Sequence, residues 1–363
     1  MSLVRTYATI PIEVVRGEDV YVYDSSDRRY LDLYAGHAVC STGHCHPKVV
    51  KAIQDQAAKL LFYSNVVGSE IRERAAAALV KHAPGYSALF SSSGAEANED
   101  ALKLVRKTTG RNEIVAMEAG FHGRTAGAMS VTGSAKMRVG PQVPGVRFVP
   151  FGEVPEVGSE TAAVLLEPIQ SMAGVKCASE EYLKALRKRC DEVGALLLYD
   201  EVQTGVGRTG EMFFSGTYGV HADVITLAKG IGSGFPLAAV LARDSIADQV
   251  AIGDFGHTYG GGPVAMAALE ATMEVVSNLL PNVQETSAYM REKLSECGEV
   301  RGKGFLLGLK IQGSAKELLS ALLERGVIVG TSNEPDVIRL LPPLTLQKEH
   351  VDAFMVELHA TLH

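Results

Sequence analysis

The chain has 363 residues, of which 46% are hydrophobic and 21% charged, and this composition is ordinary for a globular protein with a large core. The net charge of −7 argues against a nucleic-acid partner, because such partners select clustered basic charge. No apolar run approaches the roughly 20 residues of a membrane span, so no membrane partner is expected. The N-terminal residues lack the apolar core of a signal peptide, and the five cysteines are scattered. These features favour free thiols and a cytoplasmic location.

In chain order, the sequence predicts three parts. Residues 1–48 form an N-terminal segment with a turn-rich stretch at 24–27 that is typical of a hairpin. From 49 to 282, apolar runs typical of buried strands alternate with helical patterns, and this alternation indicates a large α/β unit with a mostly parallel sheet. Residues 283–363 predict a small α+β unit that packs with the N-terminal segment.

The proline at position 281 is expected to separate two helices, because proline lacks the N–H that a helix interior uses. These two helices are predicted over 263–280 and about 284–297. The other predicted helices include 71–82, 95–107, 180–193 and 349–362, and predicted strands include 87–90, 114–117, 146–149 and 162–166.

Two further apolar runs each end in a charged residue. Leu196-Leu-Leu-Tyr-Asp200 ends in a carboxylate, and Val224-Ile-Thr-Leu-Ala-Lys229 ends in a lysine. Ligands of open α/β sheets bind at the carboxyl ends of the strands. A lysine and a carboxylate together meet the needs of pyridoxal 5′-phosphate (PLP): the lysine forms a Schiff base, and the carboxylate keeps the pyridine nitrogen protonated. Taken singly, Asp200 could equally be a helix cap or surface charge, and Lys229 a solvated loop residue.

A small-residue turn, Ser91-Ser-Ser-Gly-Ala-Glu96, links a predicted strand to a predicted helix. The free N–H groups and the dipole at a helix start favour an anion, so Ser92, Ser93, Gly94 and Ala95 could hold a phosphate. Alternatively, Ser93 and Glu96 form a capping box. The two interpretations are compatible.

Two motifs suggest other ligands. Gly205-Val-Gly-Arg-Thr-Gly210 fits the G-x-G-x-x-G pattern of dinucleotide sites, but it neither follows a strand directly nor opens a helix, so we do not expect a dinucleotide. His44 and His46 form a His-x-His pair, yet no further ligand of suitable spacing follows, and no metal is expected.

Three other features carry polar groups toward a ligand. Phe121-His-Gly-Arg124 follows a predicted strand and offers a ring face and a guanidinium, although it could also be a loop packing cluster. Thr258 lies in a glycine-rich stretch before a helix, where an anion could bind. Arg339 lies within an apolar strand, and a buried arginine needs a partner from the protein or a ligand.

In this order, these segments resemble the class III aminotransferases of the ornithine and acetylornithine type. The matching stretches are Gly43-His-Cys-His-Pro47, Ser93-Gly-Ala-Glu-Ala-Asn-Glu99, Phe121-His-Gly-Arg-Thr125, Glu167-Pro-Ile-Gln170, Tyr199-Asp-Glu-Val-Gln-Thr-Gly-Val-Gly-Arg-Thr-Gly210, Thr226-Leu-Ala-Lys-Gly230 and Arg339-Leu-Leu-Pro-Pro-Leu344. The resemblance spans nearly the whole chain. It implies PLP as cofactor and fold type I, an α/β fold with a mostly parallel seven-stranded sheet, helices on both faces and a small α+β domain.

The resemblance also implies roles around the cofactor ring. Lys229 would bond to the cofactor and then move the proton during transfer, while Asp200 pairs with the ring nitrogen. Val202 and Phe121 would contact the two ring faces, and Gln203 would reach the phenolic oxygen. The residues implied around the phosphate are Ser93, Gly94 and Ala95, with Thr258 from the neighbouring subunit of a homodimer.

Six further site residues are carried over in the same way. His122 and Glu167 are expected beside the cofactor, with Glu167 near Gln203. The implied substrate contacts are Arg124, Arg339, Val39 and Asn65, of which the two arginines would bind carboxylates.

The implied reaction moves an amine from a small-molecule donor to 2-oxoglutarate in two half-reactions. The first choice of donor is N-acetylornithine, in arginine synthesis. Alternatives within the class are ornithine, succinylornithine, a lysine-pathway carrier substrate and 4-aminobutyrate. A glutamate-semialdehyde aminomutase, a PLP-binding regulator without activity and a nicotinamide oxidoreductase are alternatives outside it.

The chain departs from the family pattern at two places. After Glu167-Pro-Ile-Gln170 the family usually has Gly-Glu-Gly, whereas this chain has Ser171-Met-Ala. The usual glutamate pairs with the arginine that matches Arg339 and covers it during one half-reaction, so either another carboxylate serves here or Arg339 stays open. Gly262 stands where the family usually has asparagine, which leaves the detail of the Thr258 loop open.

Overall fold

The computed structural model describes residues 3, 4, 6 and 9–362. Its strands are β1 (Val14–Glu18), β2 (Tyr21–Asp24), β3 (Arg29–Asp32), β4 (Tyr86–Ser91), β5 (Glu113–Met117), β6 (Val146–Val149), β7 (Thr161–Leu166), β8 (Ile169–Gln170), β9 (Lys176–Cys177), β10 (Leu196–Asp200), β11 (Val224–Leu227), β12 (Ala238–Arg243), β13 (Glu299–Lys303), β14 (Leu306–Lys310), β15 (Val327–Ile328), β16 (Gly330–Thr331) and β17 (Val337–Leu340). The α-helices of five or more residues are Pro47–Lys59, Glu70–Val80, Gly94–Thr109, Ala126–Ser130, Glu180–Val193, Pro263–Leu294, Ala315–Glu324 and Lys348–Leu362.

A seven-stranded sheet forms the centre of the molecule, in the order β4-β12-β11-β10-β7-β5-β6. Only β12 runs antiparallel to its neighbours, and the remaining neighbours pair in parallel. The predicted α/β fold with a mostly parallel seven-stranded sheet is therefore confirmed. Its carboxyl edge is where β10 and β11 end side by side.

Helices cover both faces of this sheet. Along β10, Leu198 packs in one apolar cluster with Ala101 of the helix Gly94–Thr109. Its neighbour Leu197 packs in the other cluster with Met266 of the helix Pro263–Leu294. Successive side chains of a strand point to opposite faces, and burial on both faces explains why the parallel strands are apolar throughout.

Smaller sheets join the two ends of the chain. Strand β15 pairs in parallel with β3, so the sheet β1-β2-β3-β15 contains both N-terminal and C-terminal residues. A further sheet, β13-β14-β17-β16, carries Arg339 on β17. None of the described helices is both long and apolar enough to cross a bilayer.

The prediction of two helices around Pro281 was wrong. One helix runs from Pro263 to Leu294 with Pro281 inside it. Proline removes one hydrogen bond of the helix, but residues on both sides of it are held by burial. Val276 and Val283 are both fully buried, and this packing continues the helix across the proline.

The G-x-G-x-x-G stretch is a structural turn. Gly207 has φ of +80°, and a Cβ there would lie 2.6 Å from Val276 and 2.9 Å from Leu344. The next side chain, Arg208, is fully buried and donates to the carbonyl oxygens of Phe305 and Pro342. The turn therefore ties the large sheet to the C-terminal strands.

We expect Gly207→Ala to destabilise the protein more than Gly219→Ala. Both positions have positive φ, which costs alanine about 1–2 kcal/mol. Only Gly207 also has close neighbours, and overpacking adds about 1–3 kcal/mol. Denaturant unfolding of the two variants measures the difference, and equal stabilities would contradict the close packing at Gly207.

Candidate active site

Two adjacent strand ends bring Asp200 and Lys229 to the same edge of the sheet. Asp200 ends β10 and lies opposite Thr226 of β11, and Lys229 follows two residues after β11 ends. Lys229 has φ of +48° at the start of a single 3₁₀ turn. A lysine in this left-handed region is strained, and such strain is typical of functional sites.

Three donors fix the Asp200 carboxylate. Oδ2 accepts from His122 Nδ1 at 2.7 Å and from Asn98 Nδ2 at 2.9 Å, while Oδ1 accepts from the Val202 N–H at 3.0 Å. The Thr226 hydroxyl in turn donates to Asn98 Oδ1 at 2.8 Å. Although burial opposes its charge, the carboxylate raises the pKa of His122. Asp200 is therefore a buried, oriented anion.

The Lys229 amine lies among these charges without a bonded partner in the described residues. Burial lowers its pKa, and the positive charges of Arg339 and Arg208 lower it further, against the attraction of Asp200 and Glu167. A lowered pKa leaves more of the amine neutral, which is the form that attacks a carbonyl carbon or removes a proton.

The helix that begins at Gly94 presents free N–H groups beside this pair. Ser93 caps the helix by accepting from Glu96 N at 3.3 Å, and Glu96 accepts from Ser92 N at 2.9 Å, one residue before the N-cap, so the predicted capping box is present in a shifted form. The N–H groups of Gly94 and Ala95 lie in the first turn, where a helix supplies no acceptor. A Cβ on Gly94 would lie 3.0 Å from the methyl groups of Val202, so the helix start closely approaches the loop after Asp200.

Glu167 anchors the loop that contains Phe121. Its Oε1 accepts from the Phe121 N–H at 2.8 Å, while the Thr132 hydroxyl accepts from His122 N at 3.1 Å. Burial, together with the charge of Asp200, raises the pKa of Glu167 to about 7. The Glu167 hydrogen bond to the main chain goes to Phe121, and the Gln203 amide has no hydrogen-bond partner within the described residues, so the placement of Glu167 near Gln203 stays a prediction.

Arg339 is only 2% exposed and is surrounded by neutral oxygens. It donates to Thr331 O at 2.6 Å, to Ser171 Oγ at 3.0 Å and to Tyr34 Oη at 3.1 Å. Among residues 9–362, no carboxylate lies within 4 Å of it. Burial lowers its pKa. The protein thus supplies the partners that a buried arginine needs, but these partners are uncharged oxygens.

The other predicted substrate and phosphate residues lie nearer the surface. Arg124 and Thr258 are exposed, and Val39 is half-buried. The Asn65 amide donates to the carbonyl oxygens of His257 and Gly260, so it holds the loop that contains Thr258.

The His-x-His pair has local partners. His44 Nε2 lies 2.8 Å from Asp32, and His46 Nδ1 accepts from Lys48 N at the start of the next helix. Within the described residues, no cluster of three metal-ligating side chains occurs.

Five residues of this site were not predicted to be site residues from the sequence. They are Tyr34, His37, Asn98, Thr132 and Ser171. Asn98 had a visible signal, because it is a polar residue on the buried face of an amphipathic helix. The other four depend on loops, whose contacts a sequence pattern does not predict.

These residues fit PLP. The helix start offers N–H groups for a phosphate, Asp200 is an oriented anion for a protonated ring nitrogen, and the Lys229 amine is unbonded among the described residues. Val202 lies in the loop after Asp200 and donates to its carboxylate, and Phe121 lies in the loop after β5 that Glu167 holds.

Comparison with known proteins agrees with this geometry. The model of the class-III aminotransferase family matches residues 3–362, and the chain belongs to this family. Members of the family depend on PLP and transfer an amine from a donor to an acceptor oxo acid, so this chain is a PLP-dependent aminotransferase of fold type I.

Individual relatives extend over almost the whole chain. The acetylornithine aminotransferase of Aquifex aeolicus is 40% identical over 96% of this chain and 96% of its own length. A solved acetylornithine aminotransferase from Elizabethkingia anophelis has a TM-score of 0.89 and 30% identity, covering 99% of this chain and 96% of the other. An ornithine aminotransferase from Toxoplasma gondii with partial occupancy of PLP at its active site has a TM-score of 0.93 and 27% identity, covering 99% and 92%.

We expect Asn98→Ala to weaken PLP binding about tenfold, because it removes a donor to Asp200 and leaves buried groups unsatisfied at about 1–3 kcal/mol. Thr226→Val removes only the hydroxyl that orients Asn98 and should weaken binding less. Titration of each apoenzyme with PLP measures the dissociation constants. A wild-type constant in a stably folded Asn98→Ala variant would contradict the role of Asn98.

Proposed function

We propose that this aminotransferase moves the terminal amine of N-acetylornithine, or a similar N-acylated basic amino acid, to 2-oxoglutarate, in arginine synthesis. The observation that carries the proposal is the position of Lys229 and the fixed Asp200 anion at one edge of the sheet, in a chain about 40% identical to curated acetylornithine aminotransferases. When bound, PLP supplies an aldehyde for the amine and a ring that accepts electrons.

Each site residue has one task in this proposal. Asp200 holds the proton on the ring nitrogen, and His122 and Asn98 keep its carboxylate oriented. With PLP bound, the neutral Lys229 amine would take a proton from the donor carbon that bears the amine and give it to the cofactor carbon that receives the nitrogen. With PLP bound, Phe121 and Val202 would cover the ring faces, and Gln203 would reach the phenolic oxygen.

The two arginines position substrates by their carboxylates. An N-acylornithine has one carboxylate and 2-oxoglutarate has two, so Arg124 and Arg339 together fix which end of each molecule faces Lys229. Burial of Arg339 among neutral oxygens supports this role, since its charge has no partner among the described residues.

The loop that contains Thr258 supports a homodimer with the site at its interface. Large apolar side chains are exposed in the adjacent segment 60–67, and Phe62 contacts Tyr259 at 5.4 Å between ring centroids. We infer that a second copy covers this surface and that Thr258 reaches the phosphate of the partner's cofactor. All five cysteines are free, which supports a cytoplasmic location.

We expect N-acetylornithine, added without any oxo acid, to discharge the visible absorbance of the PLP enzyme faster than ornithine or 4-aminobutyrate. The physical reason is that the acyl group leaves only the terminal amine able to react. Stopped-flow absorbance measures the rates. Turnover of glutamate 1-semialdehyde without any oxo acid, together with no reaction of N-acetylornithine, would instead identify an aminomutase and overturn the proposal.

We also expect Phe62→Asp to dissociate the dimer, because it places a charge in the apolar surface around Tyr259. Val356→Asp, on the exposed face of the last helix, is the matched control. Analytical ultracentrifugation gives the mass of each variant. A monomeric wild-type protein, or a dimeric Phe62→Asp variant with normal PLP affinity, would contradict this interface.

A further inference from the structure

A strained turn borders the site at Ala35–Ala38. Its four residues have φ of +47°, +57°, +76° and +62° in succession. The left-handed conformation costs about 1–2 kcal/mol for each residue other than glycine, and only Gly36 escapes this cost. Asp32 holds the turn by accepting from the N–H groups of Tyr34 and Ala35, and His44 fixes Asp32 from the other side. Strain that is held this firmly commonly serves a site.

The turn brings His37 to Tyr34 and, through it, to Arg339. Tyr34 Oη lies 2.5 Å from His37 Nδ1 and accepts from Arg339 Nη2 at 3.1 Å. Because arginine can only donate, Tyr34 Oη accepts from it, and the hydroxyl can give its own proton to Nδ1 when the histidine carries its proton on Nε2. Burial and the charges of Lys229 and Arg339 lower the pKa of His37 to about 3, so the ring is neutral.

Among the described residues, no acid bonds to Arg339 in place of the glutamate that the family pattern has at position 172. Ser171 contacts Arg339, but it is neutral. Glu167 attracts the charge of Arg339 but makes no hydrogen bond to it. Glu334 in the neighbouring loop pairs with Arg301 at 2.8 Å and with Lys176 at 3.4 Å. It is therefore engaged elsewhere, and every hydrogen bond of Arg339 within the described residues goes to an uncharged oxygen.

We propose that Tyr34 and His37 are positioning residues that hold Arg339 by a neutral hydrogen-bond relay, so that its charge stays open to a substrate carboxylate in both half-reactions. This inference rests on the proposed function and deepens it. A glutamate paired with Arg339 would have to move away before each dicarboxylate substrate binds. A neutral hydroxyl instead fixes the guanidinium without neutralising its charge.

The open arginine has a consequence for the class of donor. A free diamino acid can place its own α-carboxylate on Arg339 and present its α-amine to Lys229. An N-acylated donor cannot react in that orientation, because its α-nitrogen is an amide. Selection of the terminal amine therefore comes from the acyl group of the substrate, and the enzyme is suited to N-acylated diamino acids.

The first experiment measures the dissociation constant of glutarate, an unreactive dicarboxylate, for the PLP enzyme by calorimetry. Ser171→Asp and Ser171→Asn differ only in charge, and both place the new group against Arg339. We expect glutarate to bind about tenfold more weakly to Ser171→Asp than to Ser171→Asn, because the aspartate competes for the guanidinium. Equal affinities would overturn the claim that an open Arg339 binds the dicarboxylate.

The relay is tested by the same binding measurement. Tyr34→Phe removes the hydroxyl and should weaken glutarate binding about fivefold, with unchanged PLP affinity. His37→Asn tolerates the left-handed backbone and places an acceptor near the Nδ1 position, so it should bind glutarate more tightly than His37→Leu. Wild-type affinity in Tyr34→Phe, or equal affinity in the two His37 variants, would contradict the relay.

Product analysis separates this inference from the proposed function. With free ornithine and 2-oxoglutarate, transfer from the α-amine gives 5-amino-2-oxopentanoate and glutamate, and transfer from the terminal amine gives glutamate 5-semialdehyde and glutamate. We expect NMR to detect both products. If the 5-semialdehyde is the sole product, the claim that Arg339 stays open to a substrate carboxylate is overturned, even if N-acetylornithine reacts. If both products form but N-acetylornithine does not react, only the proposed donor is overturned.

Discussion

The site depends on one buried anion, the Asp200 carboxylate at the end of β10. Burying an unpaired carboxylate is costly, and the structure offsets this cost with three donors that also fix its direction. Two of them, His122 and Asn98, come from different segments of the chain. The Asp200 carboxylate therefore contacts the helix Gly94–Thr109 through Asn98 and the loop after β5 through His122, beside the strand end that leads to Lys229.

A second centre of charge, Arg339, is stabilised in the opposite manner. Its hydrogen bonds go to a carbonyl oxygen and two hydroxyl oxygens, so its positive charge is oriented but not cancelled. The contrast suits the proposed function, in which Asp200 would face the cofactor ring throughout while Arg339 would accept a succession of substrate carboxylates.

Much of this could be predicted from the sequence. The apolar runs ending at Asp200 and Lys229 predict adjacent parallel strands, because such strands are buried on both faces. The capping box at Ser93 was also predictable from local spacing. The helix through Pro281 was not, since tertiary packing overrides a local rule there. Nor was the contact of Tyr34 with Arg339, which joins residues about 300 positions apart through a strained turn.

The central claim is that Lys229 and Asp200 form the PLP site. The most direct measurement is borohydride reduction of the PLP enzyme, followed by proteolysis and mass mapping of the labelled peptide. We predict a single label on Lys229 that is lost in Lys229→Ala. A label on another lysine, or covalent labelling that persists in Lys229→Ala, would contradict the account.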